Sequence, residues 1–281
     1  MKPITACLLA LSALALLGQS RRAHAQTNFP TDATINYAIG GDVNIGMDAD
    51  FQQSDSSGNP YNPTVSLVTD GSISGQTSVY NNSVFNISGG STGDINSWIS
   101  VSTFGTSTTN ISGGTINGGV YSYTSSVVNF SGGNVPATSS TANYESIGLV
   151  ADINSTINVT GGTNGEGLSA QGQGTINIRG GQLLTGAQLY AQDSSTLNFF
   201  GNNLKARLTS TLGGVDTYTL SGTLTDGSDL AGIQMIIAGS ANYTFNGLGS
   251  PPPDVPEPGS LALLCGLGVM GAGLLCHKRR R

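Results

Sequence analysis

The chain has 281 residues, 10 Lys or Arg against 16 Asp or Glu, and a charged fraction of only 9%. Cys7, Cys265, Cys276, His24 and His277 all lie near the two ends, so residues 26–257 contain neither Cys nor His. That excludes disulfides, thiol nucleophiles, Cys-based zinc sites and every Ser/His or Cys/His pair from this segment. It also holds only Arg179, Lys205 and Arg207 against all 16 acidic residues, a formal charge of −13. Such a surface repels nucleic acid, which needs clustered Lys and Arg.

Residues 1–25 read as a secretory signal peptide. Lys2 is the positive start, Ile4 to Leu17 the apolar run, and Ala23-His24-Ala25 a small-x-small cleavage site. Cleavage after Ala25 makes Gln26 the new N-terminus. Arg21 and Arg22 follow the apolar run rather than precede it, which excludes a twin-arginine signal and points to the Sec machinery. Residues 26–75 form an N-terminal β segment or cap, with a weak early copy of the later repeat at Thr34-Ile35-Asn36-Tyr37.

Residues 76–203 repeat one phrase six times, centred on Asn86, Asn110, Asn129, Asn158, Asn177 and Asn198. Ser155-Thr-Ile-Asn158-Val-Thr-Gly-Gly162 is typical. The Asn-to-Asn spacings are 24, 19, 29, 19 and 21. A period near 22 with one short strand and a Gly-Gly break suits one coil of a β-solenoid rising ~4.8 Å per coil. Recurrent Gly-Gly and β-branched residues argue against helix. Residues flanking each Asn are apolar, as in Ile157 and Val159 or Leu197 and Phe199, with Thr109 the exception. In a strand these share one side and stack inward, so the Asn faces out. Second strand phrases such as Gly167-Leu-Ser-Ala170 supply another wall.

The outward face is then a grid of Thr-x-Asn-x-Ser/Thr, with Thr156, Asn158, Thr175, Asn177, Thr196 and Asn198 as its most regular part. Two readings of it stay open. Stacked Asn side chains bond to one another and hold the solenoid together. Alternatively, the regular polar face binds a flat or polymeric partner, a glycan or ice. The phrase resembles the parallel β-helix passengers of bacterial autotransporters and surface adhesins. The resemblance covers about residues 75–203 and implies an all-β, right-handed parallel β-helix; it is nearly silent on activity.

Residues 204–247 alternate differently and read as a C-terminal β cap, with Asp226-Gly227 a hairpin-type turn. Residues 248–258 are a Pro-rich linker, and 259–281 a sorting tail. In the tail, Leu261 to Cys276 is apolar or glycine throughout and His277-Lys-Arg-Arg-Arg281 ends the chain. The apolar stretch is one transmembrane helix, slightly short for the bilayer, with the positive end cytoplasmic.

Val255-Pro256-Glu257-Pro258, the apolar stretch and the terminal Arg279, Arg280 and Arg281 resemble the PEP-CTERM sorting signal. The resemblance implies export, transient anchoring in the inner membrane, recognition by an exosortase and loss of the tail. The body then reaches the outer surface or the extracellular matrix, commonly alongside exopolysaccharide. Similar tails are catalogued as an ice-binding protein C-terminal domain, a label that describes the tail and not the body.

Catalysis finds little support. β-Helix polysaccharide lyases and hydrolases need clustered carboxylates with a basic residue. The candidates are Asp152, Asp193, Arg179, Lys205 and Arg207, with Asp48, Asp50 and Asp55 as a calcium possibility. None forms a diagnostic constellation, so the expectation is no catalytic residue, no metal and no cofactor. The lone Trp98 is expected to pack over a corner. The reading is a non-enzymatic surface or matrix protein; a glycan or ice binder is the first alternative, a lyase or hydrolase the second.

Overall fold

A computed structural model describes residues 25–47, 52–94, 98–137, 148–184 and 186–247. The expected signal segment (apart from Ala25), the linker, the apolar stretch and the terminal arginines lie outside the described residues. Residues 1–247 and 248–281 form two separate units. Among the described residues there are 22 strands and no helix, hence none long and apolar enough to cross a membrane.

The strands fall into successive coils. The first has β1 (Ala25–Phe29), β2 (Ala33–Ile35) and β3 (Ala38–Ile39). The second has β4 (Gly41–Ile45), β5 (Thr64–Leu67) and β6 (Ser72–Ile73). The third has β7 (Thr77–Val79), β8 (Val84–Ile87) and β9 (Ser91–Thr92). From the fourth coil on, the last two walls merge into one bent strand. The pairs are β10 (Ile99–Thr103) with β11 (Thr108–Ile116), and β12 (Gly119–Ser122) with β13 (Val127–Val135). Next come β14 (Leu149–Ala151) with β15 (Thr156–Asn164), and β16 (Gly167–Ala170) with β17 (Thr175–Leu183).

The eighth coil is β18 (Gln188–Ala191) and the start of β19 (Thr196–Leu212). There β19 leaves the coil and returns as the antiparallel β20 (Val215–Leu224). A ninth coil follows, β21 (Gln234–Ala238) and β22 (Asn242–Asn246), which pair in parallel with β18 and β19. Among the described residues every coil-to-coil pairing is parallel, and β20 alone of the strands runs the other way. This is an all-β architecture with a long, mostly parallel sheet, consistent with a β-solenoid. Nine coils at ~4.8 Å each give a body of roughly 40 Å.

Alternation builds the core. Phe85, Ile111, Phe130, Ile157, Ile176, Leu197 and Phe199 are buried, while the Asn between each flanking pair is half-exposed. Thr109, the polar exception, is also buried and shares a 2.9 Å hydrogen bond between hydroxyls with Thr103. Gly-Gly recurs for two reasons. At the first glycine a Cβ would run into a carbonyl of the preceding coil, as at Gly161 against Ser131 O at 2.5 Å. The second, as at Gly162, takes φ = +82° to turn the bent strand, a conformation open to glycine. The last phrase has Gly201-Asn202 instead, and there the chain runs on into the hairpin.

Asp226-Gly227 is the hairpin-type turn expected: Gly227 N–H donates to Leu224 O at 3.0 Å, Leu224 N–H to Ser228 O at 2.8 Å, and Thr223 and Asp229 form an antiparallel bridge. The longer β19–β20 hairpin turns at Gly213-Gly214. Two expectations differ from the structure. The early copy at Asn36 is out of row: Thr34 pairs with Ser66, which pairs with Asn86, so Thr34 occupies the Asn position. Trp98 does not pack over a corner and is 69% exposed.

Candidate functional surface

The outer side of the second wall carries the rows expected from the repeat. Thr156, Thr175 and Thr196 stand in register on adjacent strands, and Asn158, Asn177 and Asn198 stand in register beside them. All six are half-exposed. The Thr row is broken lower down by Val127 and Val84. The third row, Ser88, Ser112, Ser131 and Thr160, is exposed and ends at Arg179, whose guanidinium lies 3.6 Å from the centre of the Phe200 ring.

The Asn row is one directional ladder. Each side-chain amide N–H donates to the Oδ1 of the Asn one coil earlier: Asn110 to Asn86 at 2.9 Å, Asn129 to Asn110 at 2.8 Å, and Asn158 to Asn129 at 2.9 Å. It continues from Asn177 to Asn158 at 2.9 Å and from Asn198 to Asn177 at 3.0 Å. Thr244 takes the Asn place in the ninth coil and donates its hydroxyl to Asn198 Oδ1 at 2.6 Å. An amide has two donors and two acceptor lone pairs, so each Asn keeps capacity for water or a partner. The result is an uncharged strip repeating one donor and one acceptor per coil.

Two corner features were not read from the sequence as such. The Ser that opens the phrase is buried in every coil that has it: Ser83, Ser107, Ser126, Ser155 and Ser195. Its hydroxyl donates to a carbonyl of an earlier coil, as from Ser155 to Ser122 O at 2.7 Å and from Ser195 to Ala170 O at 2.9 Å. The recurrence of Ser three residues before Asn was the available signal. One residue before this corner turn, Tyr80, Phe104 and Tyr123 form a stack with centroids 5.2 and 5.0 Å apart. Burial pushes the Tyr123 phenol up, and the Asp152 charge adds to it. An open recess of about 610 Å³ beside Tyr80 and Phe104 is lined also by Gln53, Pro60, Asn81, Asn82 and Thr106.

The catalytic candidates are spread out. Asp152 and Asp193 occupy corner turns two coils apart and accept backbone N–H bonds from Ile153 at 2.6 Å and Gly172 at 3.2 Å. Lys205 and Arg207 are exposed on the hairpin strand β19. Asp55 closes a small turn, accepting from the backbone N–H of Ser57 and Asn59 and from the Asn59 amide. The Asn59 amide bond comes first among the causes that lower its carboxyl below the usual range. Asp48 and Asp50 lie outside the described residues. Among the described residues no three of His, Cys, Asp and Glu gather as a metal-holding group.

The body is thus a repetitive β structure whose Asn and corner Ser side chains bond from coil to coil. The comparisons speak to one end of the chain. Residues 254–281 match the PEP-CTERM protein-sorting motif, which covers Val255 to Pro258 and Arg279 to Arg281. The motif indicates an exported, membrane-transiting protein that an exosortase processes. No curated protein and no solved structure matches the chain.

Proposed function

We propose that the chain is the precursor of a non-enzymatic, structural or adhesin-like protein of the outer cell surface or extracellular matrix. The Sec machinery exports it on residues 1–25, with cleavage at the Ala23-His24-Ala25 site. The apolar tail anchors it in the inner membrane while an exosortase reads Val255 to Pro258 and removes the tail. The body is a right-handed solenoid, the hand that parallel crossovers take in ~98% of cases. Exopolysaccharide is its expected neighbour. The observation that carries the reading is the asparagine ladder from Asn86 to Asn198, closed by Thr244. It suits a long, uniform scaffold whose polar groups are spent on cohesion between coils. In a host with and without an exosortase, surface delivery in the first only is expected. Equal delivery of the same species in both would overturn it.

A second reading is favoured by the register of Thr156, Thr175 and Thr196 on the half-exposed face. There the strip binds a neutral glycan or ice. Replacing the three threonines by tyrosine should abolish retention on an immobilised glycan or in an ice-affinity fraction. Retention unchanged by the substitutions removes that face from the reading.

A further inference from the structure

Among the described residues the first wall is a single sheet with two open edges. At one end β1 pairs only with β4 among the described residues. At the other, the chain extends the wall beyond the ninth coil: β20 lies against β21, and the outer half of β19, Lys205 to Leu212, lies against β20. That half of β19 has no strand on its other side among the described residues. Two antiparallel steps restore direction, so this last strand runs the same way as β1.

The side-chain rows continue across the hairpin as well. One inward row runs from Val43 through Val120 and Leu168 to Met235, every member buried. It goes on to Tyr218, half-buried, and ends at Leu208, which is 51% exposed, with no further strand over it among the described residues. At the opposite end the same row begins at Thr27, the partner of Val43. The neighbouring outward row ends at Arg207 and begins at Gln26, with Asp42 one strand further in. Charge follows the same polarity. No Lys or Arg occurs between residues 26 and 178, a stretch that includes Asp32, Asp42 and Asp70, whereas Lys205 and Arg207 both sit on the open strand. Like charges on two such strands oppose tail-to-tail pairing, the protection expected of an edge, but they attract the acidic first coils.

We propose that mature bodies join head to tail, the outer half of β19 of one copy pairing in parallel with β1 of the next copy. In register, Leu208 meets Thr27, and Arg207 lies beside Gln26 on the row that holds Asp42. The two surfaces differ, so the contact is heterologous and does not close; the product is an open fibre. The inference rests on the proposed removal of residues 1–25, which makes Gln26 in β1 the first residue of the mature body.

The test uses the body, residues 26–247; all 22 strands, apart from Ala25 itself, lie within it and within one compact unit. This segment has no cysteine. Adjacent strands hold Cα atoms within the roughly 4.4–6.8 Å that a disulfide spans. Mixing Thr27→Cys with Leu208→Cys under mild oxidation should give the mixed dimer in excess over either homodimer. The double variant should give a ladder of multimers on a non-reducing gel. Leu208→Lys with an unchanged circular dichroism spectrum should sediment as monomer where the parent forms multimers. Homodimers only, or a parent that stays monomeric at all concentrations, overturns the proposal. N-terminal sequencing of the exported protein separates the two readings. A chain that retains residues before Ala25, with recombinant bodies still cross-linking 27 to 208, rejects the cleavage and keeps the pairing.

Discussion

Asn158 sits in the middle of the ladder, donating to Asn129 and accepting from Asn177, both at 2.9 Å. Asn158→Ala removes both bonds. At about 0.5–1.5 kcal/mol each, the cost is about 1–3 kcal/mol, held towards the lower end because water reaches this face. For a domain of this size, each kcal/mol shifts Tm by about 2–4 °C. Asn86 begins the ladder and accepts from Asn110, so Asn86→Ala should cost about half as much. Asn158→Asp separates direction from number. A carboxylate keeps the bond from Asn177, loses the one to Asn129, and places oxygen against the Oδ1 of Asn129. Protonation restores a donor, so the introduced carboxyl has a folded pKa above its unfolded value of about 3.9. Its penalty is therefore largest at neutral pH and is relieved as pH falls through the folded value. The assay is chemical denaturation of the three variants at neutral and acid pH, with slopes compared to confirm a common unfolding unit. Equal losses for Asn86→Ala and Asn158→Ala, or an Asn158→Asp penalty independent of pH, would refute a directional ladder.

Gly162→Ala should destabilise by about 2 kcal/mol or more, from the left-handed backbone and a Cβ only 2.6 Å from Phe130 Cε1. Gly40→Ala has open space and no such backbone, so it should stay within about 0.5 kcal/mol in the same denaturation assay. Asp226 accepts from Gly181 N–H at 2.7 Å and Ser228 N–H at 2.9 Å, tying the turn that follows β20 to the seventh coil. Burial works to raise its carboxyl, but the hydrogen bonds from Ser228 and Gly181 outweigh it and the net shift is downward. Its contribution is then present above the unfolded value and is lost as pH falls through the folded one. Asp226→Asn should lower stability at neutral pH and flatten the decline on acidification, read from denaturation midpoints against pH.

The repeat made the middle of the fold legible. A side-chain period of two, fixed between Ser and Gly-Gly, by itself assigns inside and outside for residues such as Ile157, Asn158 and Val159. The first two coils were obscured because Thr34 and Ser66 stand where Asn stands later, and small hydroxyls leave no distinctive phrase. The ninth coil was obscured by an insertion. The hairpin separates Asn198 from its row partner Thr244 by 46 residues, so Met235 and Ile237 read as terminal strands rather than as the next rung of the same wall. Loop detail was weaker still. Asp226-Gly227 was legible as a turn and makes one, but Gly213-Gly214, which turns the longer hairpin, was not read because its position follows from nine residue pairs of strand pairing and not from a local signature. Bonding between stacked Asn side chains is one of the two readings that the Asn column allows; the aromatic stack of Tyr80, Phe104 and Tyr123 has no short-range sequence pattern and follows only from coil register.

Intact mass spectrometry of the protein recovered from the cell surface tests the central claim most directly. The account predicts a chain that begins at Gln26 and ends near Glu257, without the apolar stretch or Arg279 to Arg281. A surface protein whose mass includes residues through Arg281 would contradict it.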